Sequence, residues 1–321
     1  MLIVLKYGGN AMAPPGTEDP TLDEVAALAA RGERIVLVHG GGPQIDAELE
    51  AKAIDEVRVQ GLRVTGRATR DVVEYVLCGT VNKALVRALA GRGARTVGIS
   101  GEDGNLLGAR RAGTVNGVDL GYVGEISGVD PAAARALLEA GFVVVVAPLA
   151  LDVDRGGALN CNADTAAGAL AGALRADVYL VITNVPGVRR DVNDPGSLIE
   201  RLTVAEAEAF IANGTFTDGM IPKMRAAIAA VRTGAKRAVV AGAGFGAIDA
   251  ASSSITRGRS LETWNSPSRA PRRSLRLGRF TAPSPPARAR SPRSPAPPSA
   301  GRPAGGSRGR PPTPGRTRCS A

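Results

Sequence analysis

Along most of the chain, short and almost unbroken apolar runs alternate with longer stretches whose apolar residues recur every three or four positions. Runs of the first kind at Leu2–Tyr7, Ile35–His39 and Val143–Ala147 predict strands buried on both faces. Thr96–Ser100, Tyr122–Val129, Val178–Ile182 and Arg237–Ala241 predict further strands. Between them lie helical patterns. Val25, Leu28 and Ala29 share one face, with Thr21 placed to cap that helix. Ile45 and Leu49 mark a second helix, and Asp71–Leu89 reads as one long helix. Pro131 opens a helix running to Ala140. More helices are predicted over Ala163–Leu174, Val204–Ala212 and Met220–Thr233. Val57–Thr65, broken at Gly61, suits a hairpin, and Gly101–Gly104 a turn. Repeated strand-then-helix units predict an α/β fold: an open, mostly parallel sheet covered by helices on both faces.

The pattern stops near Ala250. Thirteen of the 22 prolines fall in residues 251–321, interleaved with Ser, Arg, Gly and Ala. Such a composition buries too little apolar surface to offset its ordering entropy, so a disordered tail is expected.

Composition sharpens the picture in three ways. With 321 residues, 44% hydrophobic but only 3% aromatic, the chain can fill a large core mainly with Ala, Val, Leu and Ile. Cys78, Cys161 and Cys319 form no CxxC pair, which suits a reducing compartment such as the cytoplasm, and the single His39 excludes a multi-histidine metal site. No apolar run approaches the ~20 residues that a membrane-spanning helix needs, so no membrane partner is expected. The net charge of +10 is unevenly placed. Residues 251–321 hold 15 Arg, no Lys and one acid, Glu262; residues 1–250 carry a net charge of −4. Nucleic acid is therefore not an expected partner of the body, and only nonspecific binding of a polyanion by the tail is in view. Trp264 and Phe280 offer that tail little base stacking.

Candidate chemistry gathers where strands end and helices begin, because exposed N–H groups and the helix dipole favour anions there. Two glycine turns fit. Gly8-Gly9-Asn10 follows Lys6 at the end of the first strand, and Gly40-Gly41-Gly42 precedes a helix opened by Pro43. Glycine lets a bulky anion reach the backbone, and the two turns together suit one phosphoryl group. No GxxxxGK[ST] motif occurs. A GxGxxA match at Gly242–Ala247 has neither a helix nor a second strand predicted after it, so it reads as a decoy. Asn160-Cys161-Asn162-Ala163-Asp164 is a polar cluster opening a helix, for which capping by Asn162 or Asp164 is the plain reading. Lys223 falls in the first turn of a predicted helix, where it opposes the dipole unless an anion bridges it to the N–H groups.

At these residues the sequence resembles the N-acetylglutamate kinases of the amino-acid kinase superfamily. The resemblance rests on Lys6-Tyr7-Gly8-Gly9-Asn10-Ala11-Met12, Val38 to Ile45, Gly61-Leu62-Arg63-Val64-Thr65 and Val81-Asn82-Lys83. It continues through Gly101 to Gly104, Gly121 to Glu125, Asn160 to Asp164 and Gly219 to Lys223, all in the expected order over residues 1–241. It implies a three-layer αβα sandwich. An N-terminal lobe, 1–155, would bind the acyl-amino acid and form a homodimer, and a C-terminal lobe, 156–250, would bind MgATP. The implied reaction is phosphorylation of the side-chain carboxylate of N-acetyl-L-glutamate by ATP, in arginine biosynthesis.

By the same resemblance, Lys6 and Lys223 flank the transferring phosphoryl and Asp164 holds both lysines. Gly8, Gly9, Gly41 and Gly42 bind its oxygens. Gly41 and Gly42, with Arg63 and Asn160, also hold the substrate, and Asn184, Gly219 and Met220 meet the nucleotide. No protein-held metal is implied, only Mg2+ arriving with ATP. His39, Cys78 and Cys161 are expected to be structural. Asn184 stands where many members carry Asp, and Gly242 onward departs from the family altogether. The abrupt change there reads as an out-of-frame translation of GC-rich sequence. The alternative enzyme is the kinase for aminoadipate or glutamate attached to an acidic carrier protein, which shares the phosphoryl machinery. The mildly acidic body suits such a carrier poorly.

Overall fold

The computed structural model describes residues 1–8, 12–13, 17–183, 188–191, 193–197, 199, 202–216 and 219–242, apart from side chains at a few of these positions. The expected tail and the Gly242–Ala247 match beyond its first residue lie outside them.

Strands β1 (Leu2–Tyr7) and β2 (Arg34–His39) enclose helix α1 (Pro20–Ala30), and α2 (Gly42–Ala51) follows β2 directly. A small hairpin, β3 (Arg58–Val59) and β4 (Leu62–Arg63), leads into α3 (Arg67–Glu74). A π-helical stretch, Tyr75–Val81, joins α3 to α4 (Asn82–Gly91), and β5 (Thr96–Ser100) comes next. Then follow β6 (Leu107–Arg111), the short pair β7 (Thr114–Val115) and β8 (Val118–Asp119), and β9 (Val123–Val129). Helix α5 (Ala132–Glu139) precedes β10 (Val143–Ala147), β11 (Leu149–Asp152) and β12 (Ala158–Cys161). The described chain closes with α6 (Ala163–Leu174), β13 (Val178–Thr183), α7 (Val204–Ala212), α8 (Met220–Thr233) and β14 (Ala238–Gly242).

Six strands form one sheet in the order β14-β13-β1-β2-β10-β5, and every pairing in it is parallel. Alternate residues of β1 serve opposite faces, as strand geometry requires. Ile3, Leu5 and Tyr7 pack with α1, α2, the π-helical stretch and α4; Leu2 and Val4 pack with α5, α6 and α8. The chain is thus an αβα sandwich. All five residues of β10 are buried. Burying each Val there stabilises by ~1.5–3 kcal/mol relative to exposure.

Two elements differ from the sequence expectation. Asp19, not Thr21, caps α1: its Oδ1 accepts from Leu22 N at 3.1 Å, and Thr21 sits inside the helix. The long helix begins earlier, at Arg67, and changes to π geometry in its middle. A further feature was not foreseen: β11, β12, β9 and β6 close into a small four-stranded barrel beside the main sheet.

Helices α6 and α8 cross closely because Gly168 carries no side chain. A Cβ there would stand 2.8 Å from the Ala226 carbonyl oxygen. The N-terminal turns of the two helices meet as well, where Asp164 of α6 pairs with Lys223 of α8.

Candidate active site

The sheet changes direction of growth between β1 and β13: β2, β10 and β5 extend to one side, β14 to the other. In open α/β sheets the crevice at such a point, beyond the C-terminal strand ends, is where ligands bind. The strand ends are level here, since Tyr7 pairs with both His39 and Ile182. Gly8 and Gly40 therefore leave the sheet side by side, and Gly40 N donates to Tyr7 O at 2.9 Å.

Lys6, near the end of β1, points its ammonium at α6. Its Nζ lies 3.2 Å from Asp164 Oδ1. Lys223 Nζ, from the first turn of α8, donates to Asp164 Oδ2 at 3.2 Å. One carboxylate thus spans two ammonium groups, and both partners of the inner pair are buried. Asp164 is fixed from behind. Asn162 caps α6, its Oδ1 accepting from Asp164 N at 2.9 Å and Thr165 N at 3.1 Å, and the Tyr179 hydroxyl donates to Asp164 O at 2.9 Å. Asn162 is thus the cap of α6, and Asp164 lies between the two lysines.

Burial lowers the Lys6 pKa below its ordinary 10.5; Asp164 opposes this and the nearby Lys223 adds to it. Gly8 sits against the same ammonium, with room for a Cβ only 3.1 Å from Lys6 Nζ. Gly9 lies outside the described residues. Gly41 is the N-cap of α2 and Gly42 its first residue. Among the described residues neither N–H has an acceptor, which leaves two donors at a positive helix end. Gly219 and Met220 stand at the equivalent end of α8, which no side chain caps. Asn184 lies outside the described residues.

Arg63 and Asn160 are joined through a residue given no role in the sequence reading. Asn160 Nδ2 donates to Thr65 Oγ1 at 3.3 Å, and Thr65 Oγ1 donates to Arg63 O at 2.9 Å. The Arg63 guanidinium is already paired: Nη2 donates to Asp46, and Nη1 lies 2.6 Å from Glu56 Oε1. Arg58 reaches the same two acids. A substrate carboxylate at Arg63 would share or displace those partners. Such short-range pairing of residues from α2 and the hairpin carries no sequence signature.

His39 lies at the end of β2, beside the second glycine turn. It is buried, and desolvation pulls its pKa down to about 4, so the ring is neutral near pH 7. Burial pushes the Cys78 and Cys161 thiols up to about 12, so neither offers a thiolate.

The sequence model of the amino acid kinase family matches residues 1–242. An acetylglutamate kinase of Gluconacetobacter diazotrophicus is 45% identical over 246 residues, covering 74% of this chain and 77% of that one. The acetylglutamate kinase of Methanopyrus kandleri is 45% identical over 240 residues, 74% of this chain and 93% of that one. The chain belongs to the amino acid kinase family, in its acetylglutamate kinase branch. Among solved structures, the N-acetylglutamate synthase of Neisseria gonorrhoeae, complexed with coenzyme A and N-acetyl-glutamate, superposes with a TM-score of 0.62 at 27% identity. The match covers 75% of this chain and 54% of that longer one.

Kinases of this family use ATP, which travels with a divalent cation. Both oxygens of Asp164 face lysines, so this carboxylate is not placed to ligate one. Among the described residues no group of three His, Cys, Asp or Glu side chains has metal-binding geometry.

Proposed function

We infer that the protein transfers the γ-phosphoryl group of MgATP to the side-chain carboxylate of N-acetyl-L-glutamate, giving N-acetyl-L-glutamyl 5-phosphate. The observation that carries this reading is the pair of ammonium groups, Lys6 and Lys223, held on one buried carboxylate at the C-terminal end of a parallel sheet, with two N–H groups at the start of α2 that have no acceptor among the described residues. The relatives named acetylglutamate kinase supply the substrate.

The acceptor is ionised near neutral pH, from a reference pKa of about 4.3, so no general base is needed. Its oxygen forms the new P–O bond while the bond to the β-phosphate oxygen breaks and ADP leaves with that electron pair. The work of the protein is to bring two anions together and to stabilise the charge spread over the transferring group. Lys6 and Lys223 supply positive charge on either side. Gly8, Gly9, Gly41 and Gly42 supply backbone donors. Asp164 holds the lysines apart and in place. Arg63 and Asn160 hold the substrate, and Gly219 and Met220, with Asn184, flank the nucleotide. Mg2+ is the cation we assign to ATP, and a cytoplasmic homodimer is the form we assign to the enzyme. No helix among the described residues is long and apolar enough to cross a membrane.

The test is acyl-phosphate trapping. MgATP, hydroxylamine and N-acetylglutamate should give hydroxamate, and free glutamate or aspartate should give none. Hydroxamate from glutamate but not from its N-acetyl form would overturn the substrate assignment.

A further inference from the structure

The reading of Gly41 N–H as a phosphoryl donor, on which this inference rests, leaves open what aims it. The peptide Gly40–Gly41 lies between two glycines, the residue type that least restrains peptide rotation. A trans peptide is planar, with its C=O and N–H pointing opposite ways, so whatever holds the Gly40 carbonyl also aims the Gly41 N–H.

His39 Nδ1 lies 2.8 Å from the Gly40 carbonyl oxygen. A carbonyl only accepts, so Nδ1 carries the proton and Nε2 of the neutral ring is an acceptor. Asn82 Nδ2 meets Nε2 at 3.3 Å. The amide orientation of Asn82 is itself determined: Nδ2 also faces Val145 O at 3.1 Å and Ile99 O at 3.3 Å, its two hydrogens shared among the three acceptors, while Oδ1 accepts from Lys83 Nζ at 3.0 Å. His39 and Asn82 both have 0% exposure. Burial of two polar side chains, one on β2 and one on α4, is costly unless their groups are paired, and here one line of pairs runs from Asn82 through His39 to the Gly40 carbonyl.

Two packing features belong to the same device. Gly98 of β5 makes room for Asn82, because a Cβ there would stand 2.0 Å from Asn82 Oδ1. The π-helical stretch, an irregularity frequent at functional sites, presses Leu77 against Gly41, where a Cβ would stand 2.5 Å from Leu77 Cδ2.

We propose that His39 and Asn82 are positioning residues for phosphoryl transfer: Asn82 fixes the His39 ring, and the ring holds the Gly40 carbonyl so that the Gly41 N–H faces the transferring group. Neither touches a substrate.

The discriminating pair is His39→Leu and His39→Asn. Leucine removes the donor, whereas the Asn amide can place an N–H near the position of Nδ1. Both lose the aromatic ring, so a purely structural role would impair them alike. With N-acetylglutamate and MgATP, His39→Leu should lose about 100-fold in kcat with KM values changed less than threefold. His39→Asn should stay within about tenfold of the natural enzyme, the smaller loss being the rescue. Crystal structures should show the Gly40–Gly41 peptide rotated in His39→Leu and unrotated in His39→Asn. Equal losses in the two variants, or an unrotated peptide in His39→Leu, would overturn the proposal. If His39→Leu does not fold, Gly98→Ala carries the test from outside the site: its methyl displaces Asn82 and crowds Val86, kcat should fall at least tenfold at constant KM and a crystal structure should show the Gly40–Gly41 peptide rotated, while an unchanged kcat or an unrotated peptide would refute the relay. The peptide orientation is read without turnover. Absence of hydroxamate from the natural protein would therefore count against the substrate reading alone.

Discussion

Lys6 is a buried cation whose pKa is lowered, chiefly by desolvation, below its ordinary value of 10.5. Its protonated form therefore costs more in the folded than in the unfolded chain. By linkage, the stability it contributes is present above pH 10.5 and is lost as pH falls through the lowered folded value. Wherever Lys6 is protonated, its charge therefore works against the fold. We expect Lys6→Met to keep or raise Tm at pH 7 while kcat falls by about 10²–10³. Calorimetry and the hydroxamate assay on one preparation would check this. A Tm several degrees lower with normal turnover would make Lys6 a structural residue. The sequence points to Lys6 and Lys223 because glycine turns and an ill-placed helix lysine are local signals, whereas Asp164 is picked out as their partner only by the family resemblance. It is silent about Asp46 and Glu56 because their pairing with Arg63 depends on how a hairpin folds back onto α2.

The π-helical stretch acts at the scale of an element. It sets Leu77 against Gly41, whose extended φ of 172° any residue adopts, so a substitution there meets steric crowding alone. Gly41→Ala should cost roughly 1–3 kcal/mol of stability through overpacking. Adding Leu77→Ala should recover part of it, giving a coupling of about 0.5–3 kcal/mol in a double-mutant cycle by denaturant unfolding. Strict additivity would mean that the two residues do not meet. The main strands and helices are legible in the sequence because each carries one clean period, continuous for the buried strands and 3.6 for the helices. The π geometry is invisible there, since its residues read as an ordinary helix. The small barrel is invisible for another reason. β11 follows β10 after one residue, Pro148, and β6 and β12 are short runs beside glycines, so no alternation is long enough to be seen.

For the whole molecule, the charge division matters most. The body at −4 and residues 251–321 at +14 should behave as separate electrostatic objects. The full chain should bind duplex DNA or heparin with an affinity falling tenfold or more between about 50 and 200 mM salt. A chain of residues 1–250 should lose that binding and retain acyl-phosphate formation. Salt-insensitive binding, or binding that survives the truncation, would refute this division. The members of the buried charge cluster, by contrast, come from elements scattered along the sequence. Lys6 is among the first residues to leave the ribosome, whereas Lys223 emerges only with α8, after most of the sheet has been made. A nascent chain halted after β13 would already contain most of its core, yet Asp164 would face one lysine instead of two. The charge cluster is thus a late product of synthesis, and a fragment that ends before α8 should release no acyl phosphate.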